Sequence, residues 1–410
     1  MYCGDIGHGL SLNLLICALV SGSNRNLTAS PLPVSTLPQL SASASTPLLL
    51  GTPVLPSLDD FQLRLRDIWQ AKWLTNHGRQ EQTLEARLKQ YLGARDLKLF
   101  CNGTMALLLG LKALGLRGEV ITTPFTFPAT AHAIEWAGLT PVFADIDPLT
   151  LTLDPAAVER AITPQTSAVL GVHVFGMPCH LSALRAISQR HGLKLVYDAA
   201  HAFGTEVEGV PIAQFGDCSM FSFHATKLFH TAEGGALAFA DPDLRRRLHL
   251  LHNFGISGED QVEGSGINGK MSEIHAALGH CVLDDYESTR QRRALVFQRL
   301  TKALEDLPGL RVLTMPAGVK PSYQYFGLVF EAPDARERAW EALRQDHIHA
   351  RRYFYPLCSS ISTYRELPSA IASNLPVAAG IVERMLCLPC HDQVTETDVG
   401  RMAEIIRSIL

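Results

Sequence analysis

A lysine set in an apolar, aromatic run is the residue of this chain best placed for uncommon chemistry. Lys227 stands in FGDCSMFSFHATKLFHTAEGGALAF, with Phe221, Phe223, Leu228 and Phe229 close by. Burial lowers a lysine pKa and frees the neutral amine, a nucleophile that can form a Schiff base with a carbonyl. On an open surface the same side chain would only snorkel. Asp198 ends the apolar run of LKLVYDAAHAFGT, and His201 follows it closely. A carboxylate at the C-terminal end of a parallel strand sits where α/β sheets place their ligands. An Asp there can also do no more than cap the next helix. A third segment, LKLFCNGTMALLLGLKAL, ends a strand at Cys101, turns through Asn102, Gly103 and Thr104, and opens a helix. Free amides at a helix start, approached through glycine, suit a phosphate. Alone, this segment reads as an ordinary strand–turn–helix junction.

Together the three segments meet the needs of pyridoxal 5'-phosphate: a phosphate cradle, a strand-end Asp and a loop Lys. The Asp keeps the pyridine nitrogen protonated, and the Lys holds the cofactor and moves a proton. An aromatic must cover the ring face, and TTPFTFPAT offers Phe125 and Phe127.

These residues need a scaffold. Short apolar or β-branched runs at Leu97–Cys101, Glu119–Thr122, Pro141–Ala144, Ala168–Val172, Leu193–Tyr197, Ser219–Phe223 and Ala236–Phe239 read as strands. Helical stretches such as Ala106–Leu114, Ala129–Ala137 and Leu181–His191 separate them. Strands alternating with helices predict an α/β domain built on a mostly parallel sheet covered on both faces. Ahead of it, Leu58–Tyr91 reads as helices broken at Asn76–Gly78, and order is expected to begin near Pro56. A long helix is expected from Ser272 to Leu307, then short strands and helices of a smaller α+β domain. The predicted organisation is a leader over 1–50, a large domain over 51–285 and a small one over 286–410.

Composition excludes other classes. The 410 residues carry 36 Lys and Arg against 40 Asp and Glu, a formal charge of −4, which argues against a nucleic-acid or polybasic membrane surface. Nine scattered cysteines suit a reducing compartment. The lone C-x-x-C of Cys387 and Cys390 has no second ligand pair, so no metal is expected. The apolar run Leu10–Val20 is too short to span a bilayer and lacks the basic flank of a signal peptide. After Met1 the next methionine is Met105. The Ser- and Pro-rich leader is therefore expected to be a dispensable tail or the product of an assigned start placed too early. A nicotinamide fold would need G-x-G-x-x-G after its first strand, and NGTMAL lacks it.

The segments KWLTNHG, NGTMAL, GEVITTPFTFPATAHAIEWAGLTPVFADID, ITPQTSAVLGVHVFGMPC, YDAAHAFGT, SFHATKLFHTAEGGAL and GINGKMSEIHAALG resemble, in order and spacing, the DegT/DnrJ/EryC1/StrS sugar-nucleotide aminotransferases. That family has the aspartate-aminotransferase-like fold of type I pyridoxal phosphate enzymes. The resemblance implies that Lys227 carries the cofactor, that Asp198 partners its ring nitrogen and that His201 contacts its hydroxyl. It implies phosphate ligands at Gly103, Thr104 and Ser222, joined by the Met105 amide, and stacking by Phe127. Asn268 matches a residue that the family supplies from the neighbouring subunit, so a homodimer with shared sites is implied. The family more often reads Asn-Tyr-Arg where this chain has Asn268-Gly269-Lys270, and Lys270 is a candidate to share that contact. A related dehydratase branch has His in place of the lysine, so Lys227 favours transamination over dehydration; His224 reads as structural.

The implied reaction takes an amino group from L-glutamate to a keto-sugar nucleotide in two half-reactions, giving ping-pong kinetics. KWLTNHG, YDAAHAFGT and INGKMSE resemble members that aminate dTDP-4-dehydro-6-deoxy-D-glucose for O-antigen or other surface glycans, in the cytoplasm. The C4 epimer, a 3-amino sugar or another nucleotide remain alternatives, as does a non-catalytic regulator that binds the cofactor. Tyr323, Tyr325, Arg352, Tyr353 and Tyr355 either line the sugar-nucleotide pocket or pack between domains.

Overall fold

The computed structural model describes residues 47–410. The expected leader lies outside the described residues except at its end. Leu48 forms a parallel bridge with Ile348; its N–H donates to the His347 carbonyl at 2.9 Å, and its own carbonyl accepts from His349 at 2.8 Å. Chain that was expected to be tail up to residue 50, with order from Pro56, is thus paired at Leu48. A single pair of backbone bonds to a distant segment leaves no local pattern to read.

Seven strands form the central sheet: β1 (Asp96–Phe100), β2 (Glu119–Thr122), β3 (Thr140–Phe143), β4 (Thr166–Val172), β5 (Lys194–Asp198), β6 (Cys218–Ser222) and β7 (Gly235–Phe239). Their spatial order is β1-β7-β6-β5-β4-β2-β3. Only β7 runs against the others, pairing antiparallel with both β1 and β6. Six strand ends therefore point to one side of the sheet, the side where open α/β sheets bind ligands.

Side chains alternate between the two faces, as the two-residue period of a strand requires. In β6, Cys218 and Met220 join one core cluster and Phe221 joins the other. In β7, Leu237 and Phe239 face the first and Ala236 and Ala238 the second. Helices cover both faces, so even β7 is fully apolar.

On the first face lie α3 (Gly103–Ala113) and α4 (Pro128–Trp136). On the second lies α2 (Arg79–Tyr91), which follows α1 (Leu58–Ala71) after a break at residues 72–78. The 32-residue helix Glu273–Leu304 packs along α2. The second half of that helix, with Val296, Leu300 and Leu304, covers a separate antiparallel sheet of Leu310–Val312, Phe326–Phe330 and Met385–Leu388.

Two quoted motifs turn out to be a joint. The Gly78 position opening α2 has no side chain to cap the helix. Glu273 supplies the cap from the start of the long helix. Its Oε2 and Oε1 accept from the Gln80 and Glu81 amides, each at 2.9 Å. A negative charge at a helix N-terminus is stabilising. A Cβ on Gly78 would lie 2.3 Å from Glu273 Cδ, so a larger residue there would push the capping carboxylate aside.

Candidate active site

The sequence-predicted residues collect at the C-terminal side of the sheet. Phe100 ends β1 and leads into Asn102–Met105; Thr122 ends β2 and leads to Phe127; Asp198 ends β5; Ser222 ends β6 and leads to Lys227.

Asp198 is buried, and burial pushes its carboxyl pKa up. Two donors work against that rise: the Ala200 amide at 3.0 Å and the Thr130 hydroxyl at 2.8 Å. Thr130, fully buried on α4, is itself 2.8 Å from the Thr126 hydroxyl. Lys227 acts on Asp198 as a charge at a distance, without a hydrogen bond. A buried carboxylate with two neutral donors still needs a cationic partner.

Lys227 keeps part of its side chain accessible, but its amine lies among protein atoms. Desolvation brings its pKa down to about 8, partly opposed by Asp198. The amine is therefore mostly protonated below that pH and mostly free above it. Cofactor uptake by the apo-protein should accelerate as pH rises through about 8 and level off beyond, in stopped-flow absorbance. A rate independent of pH between 7 and 9.5 (the assay's flanks, about 1–1.5 units either side of that pKa) would contradict this assignment.

His201 is buried, and desolvation keeps its ring neutral, with its pKa well below the usual value. The Phe175 amide donates to its Nδ1 at 3.2 Å. The ring proton must then sit on Nε2, leaving one N–H to donate. Phe175 and Phe354 lie parallel to the imidazole at centroid distances of 6.2 and 6.0 Å.

At the start of α3, Asn102 Oδ1 caps the helix by accepting from the Met105 amide at 2.8 Å. The Met105 N–H, expected to join the phosphate ligands, is thus bonded within the chain. Among the described residues, the Gly103 and Thr104 amides at this helix start make no such bond. Gly103 packs so tightly on β6 that a Cβ would stand 3.0 Å from Ser222 Cβ. The two candidate aromatics differ in their surroundings. Phe125 is fully buried edge-on against Phe354 and Phe175, whereas Phe127 is 50% exposed. Asn268 is exposed and makes no side-chain hydrogen bond among the described residues. Lys270 donates to Asn253 Oδ1 at 2.7 Å.

Comparison with known proteins decides the identity. The model of the DegT/DnrJ/EryC1/StrS aminotransferase family matches residues 58–407. The chain belongs to this family. A dTDP-4-amino-4,6-dideoxy-D-glucose transaminase of Escherichia coli is 39% identical over 359 residues, covering 86% of this chain and 96% of its own. The Shigella dysenteriae transaminase of the same name is 40% identical over 366 residues, covering 88% and 99%. The crystal structure of DesI, solved in the presence of its TDP-sugar product, superposes with a TM-score of 0.84 at 39% identity, covering 90% of this chain and 94% of that one. This protein is thus a sugar aminotransferase of pyridoxal phosphate fold type I, and it uses pyridoxal 5'-phosphate.

The donor set fits that cofactor. Amides and hydroxyls suit the phosphate, the carboxylate lacking a cation suits a protonated ring nitrogen, and an imidazole N–H suits the ring oxygen. The cradle is also closed from behind: a Cβ on Gly235, at the start of β7, would sit 2.5 Å from the Gly103 nitrogen.

Elsewhere, both cysteines of the C-x-x-C are free and buried, Cys387 within a strand, and burial pushes their thiols up. His77, His249 and His252 place ligand atoms within 4.8 Å of one another. Lys98 Nζ stands 2.9 Å from His77 Nε2, so one of these ring nitrogens is already engaged by the chain's own amine. No helix among the described residues is long and apolar enough to cross a membrane.

Sequence reasoning missed Thr130. It is an ordinary helix residue until folding sets it against Asp198, 68 positions away.

Proposed function

We propose that this aminotransferase moves the amino group of L-glutamate to dTDP-4-dehydro-6-deoxy-D-glucose, giving dTDP-4-amino-4,6-dideoxy-D-glucose for surface glycans such as O-antigen. The observation that carries the chemistry is Lys227: a loop lysine with its amine near neutrality, beside Asp198 and His201. The choice of acceptor is supported by the two transaminases of that product, similar over nearly their whole length.

Each residue then has a task. Pyridoxal 5'-phosphate supplies the electron sink that makes the proton on an amino-bearing carbon removable. Lys227 holds the cofactor in the resting enzyme. Its neutral amine, when free of the cofactor, would take that proton and return one, general acid–base work suited to a pKa near 8. Asp198 holds the ring nitrogen in its protonated form, and the Nε2 proton of His201 holds the ring oxygen. Gly103, Thr104 and Ser222 hold the phosphate, and Phe127 covers the ring.

Asn268 serves the site of a neighbouring copy in a homodimer. Its exposure supports this, as does the apolar groove beside it, formed by Met105, Leu108, Leu251, Ile267 and the 75%-exposed Trp136. The nucleotide sugars this chemistry needs place the enzyme in the cytoplasm.

Incubation with glutamate and a panel of keto-sugar nucleotides, followed by NMR of the product, tests the proposal. An equatorial 4-amine on a dTDP-6-deoxyglucose is expected. The axial epimer, a 3-amine or a preference for a UDP sugar would replace the substrate assignment. A cofactor spectrum unmoved by glutamate would sink the proposed amino donor.

A further inference from the structure

We infer that Gln324 is a positioning residue for Lys227, acting from the C-terminal part of the chain on the backbone either side of the lysine. The inference rests on Lys227 being the cofactor lysine, and goes beyond that reading by naming what sets the lysine's place.

The loop between β6 and β7 carries Lys227 with little regular structure of its own. Within the loop, the Lys227 amide donates to the His224 carbonyl at 2.8 Å. The flanking groups on either side are held from outside. Gln324 Oε1 accepts from the Leu228 amide at 3.0 Å, and Gln324 Nε2 donates to the Thr226 carbonyl at 3.1 Å. One primary amide thus closes over residues 226–228 with both its ends. Its orientation is unambiguous, because a backbone N–H can only donate and a carbonyl can only accept. Gln324 is only 6% exposed and its bond to the Leu228 amide is buried, so that N–H has no bulk water to turn to, whereas the bond to the Thr226 carbonyl is partly exposed.

The neighbours of Gln324 reach the same site. Ser322 Oγ donates to the His201 carbonyl at 2.6 Å. The Tyr325 ring stands edge-on to His201 at 4.9 Å, and its centroid is 5.7 Å from Lys227 Nζ. Ser322, Gln324 and Tyr325 are therefore one strap, entering the strand Phe326–Phe330, that touches both Lys227 and His201. A glutamine is suited to the task because it pairs a donor with an acceptor and does not titrate. Glutamate could keep the Leu228 bond but would set an oxygen against the Thr226 carbonyl.

The test uses Gln324→Leu and Gln324→Glu in the full-length chain. In apo-protein, hydrogen exchange at the Leu228 amide should quicken about tenfold or more in Gln324→Leu, with β5 amides unchanged, and less in Gln324→Glu. In the loaded enzyme, kcat should fall roughly 10- to 100-fold in Gln324→Leu, with KM for the sugar nucleotide within about twofold. Cofactor uptake should slow in parallel. Should Gln324→Leu fail to fold, Gln324→Glu carries the test, its smaller exchange and kcat losses being judged against wild type. Wild-type Leu228 exchange and wild-type kcat in a folded variant would overturn the inference. So would a kcat loss matched by a rise in KM, which would place Gln324 in substrate binding instead. Lys227→Ala is the separating control. Its retained turnover would refute the role of Lys227, while the apo exchange result still reports on the clamp itself.

Discussion

Replacing Lys227 by Ala is expected to lower turnover by about 10⁴-fold or more, the upper range for losing a positioned acid–base group. The cofactor should also lose its tether and leave on dialysis. The fold should survive, because Phe223, Leu228 and Phe229 anchor the loop without the lysine. Stability against pH gives a second signature. The folded-state pKa of Lys227, about 8, lies below the ordinary lysine value of 10.5. Between those values the unfolded chain binds the extra proton, so this group makes stability rise with pH across that window. The Ala variant should lack that contribution, seen as a difference between the two apo-protein denaturation curves at pH 8 to 10.5. Parallel curves would mean that the amine is not desolvated. Small primary amines added to the variant should restore part of the proton transfer, and none of the tether.

Asp198→Asn should separate stability from activity. Asn keeps an acceptor for the Ala200 amide, and the Thr130 hydroxyl can rotate to accept instead of donate. Burial raises the Asp198 pKa in the fold, so the ionised carboxyl opposes folding above its ordinary range. The variant should therefore melt at or above the wild-type temperature. Catalysis should move the other way. Taking one partner from a buried charge pair costs about 3–5 kcal/mol. At about 1.4 kcal/mol per decade, that is roughly a hundredfold to several thousandfold in kcat. Calorimetry with steady-state kinetics would show both effects. A large fall in melting temperature with little change in kcat would make Asp198 a structural residue.

Much of this architecture could be read in advance, for one physical reason. A strand buried on both faces must be a short apolar run, and all seven such runs fell on the central sheet. Asp198 and Lys227 were legible because a charge beside such runs is costly and therefore conspicuous. What stayed hidden was contact between distant segments. Thr130 and Gln324 are unremarkable residues 68 and 96 positions from their partners. The pairing of Leu48 with His347 and His349 is another instance. Phe125 and Phe127 could not be ranked from two neighbouring aromatics, because the difference lies in what packs on each. The commitment of the Met105 amide to Asn102 is a local cap, and Asn at that position could have announced it.

The Glu273 cap on α2 has a consequence for how the chain is made. The amides it accepts from lie 193 and 192 positions earlier. At roughly 5–20 residues per second, synthesis needs about 10–40 s to reach the cap after α2 has been made. Through that interval α2 has no capping side chain at its start, since Gly78 offers none. A nascent chain halted before residue 273 should therefore carry a frayed α2, which sets only when the long helix docks beside it.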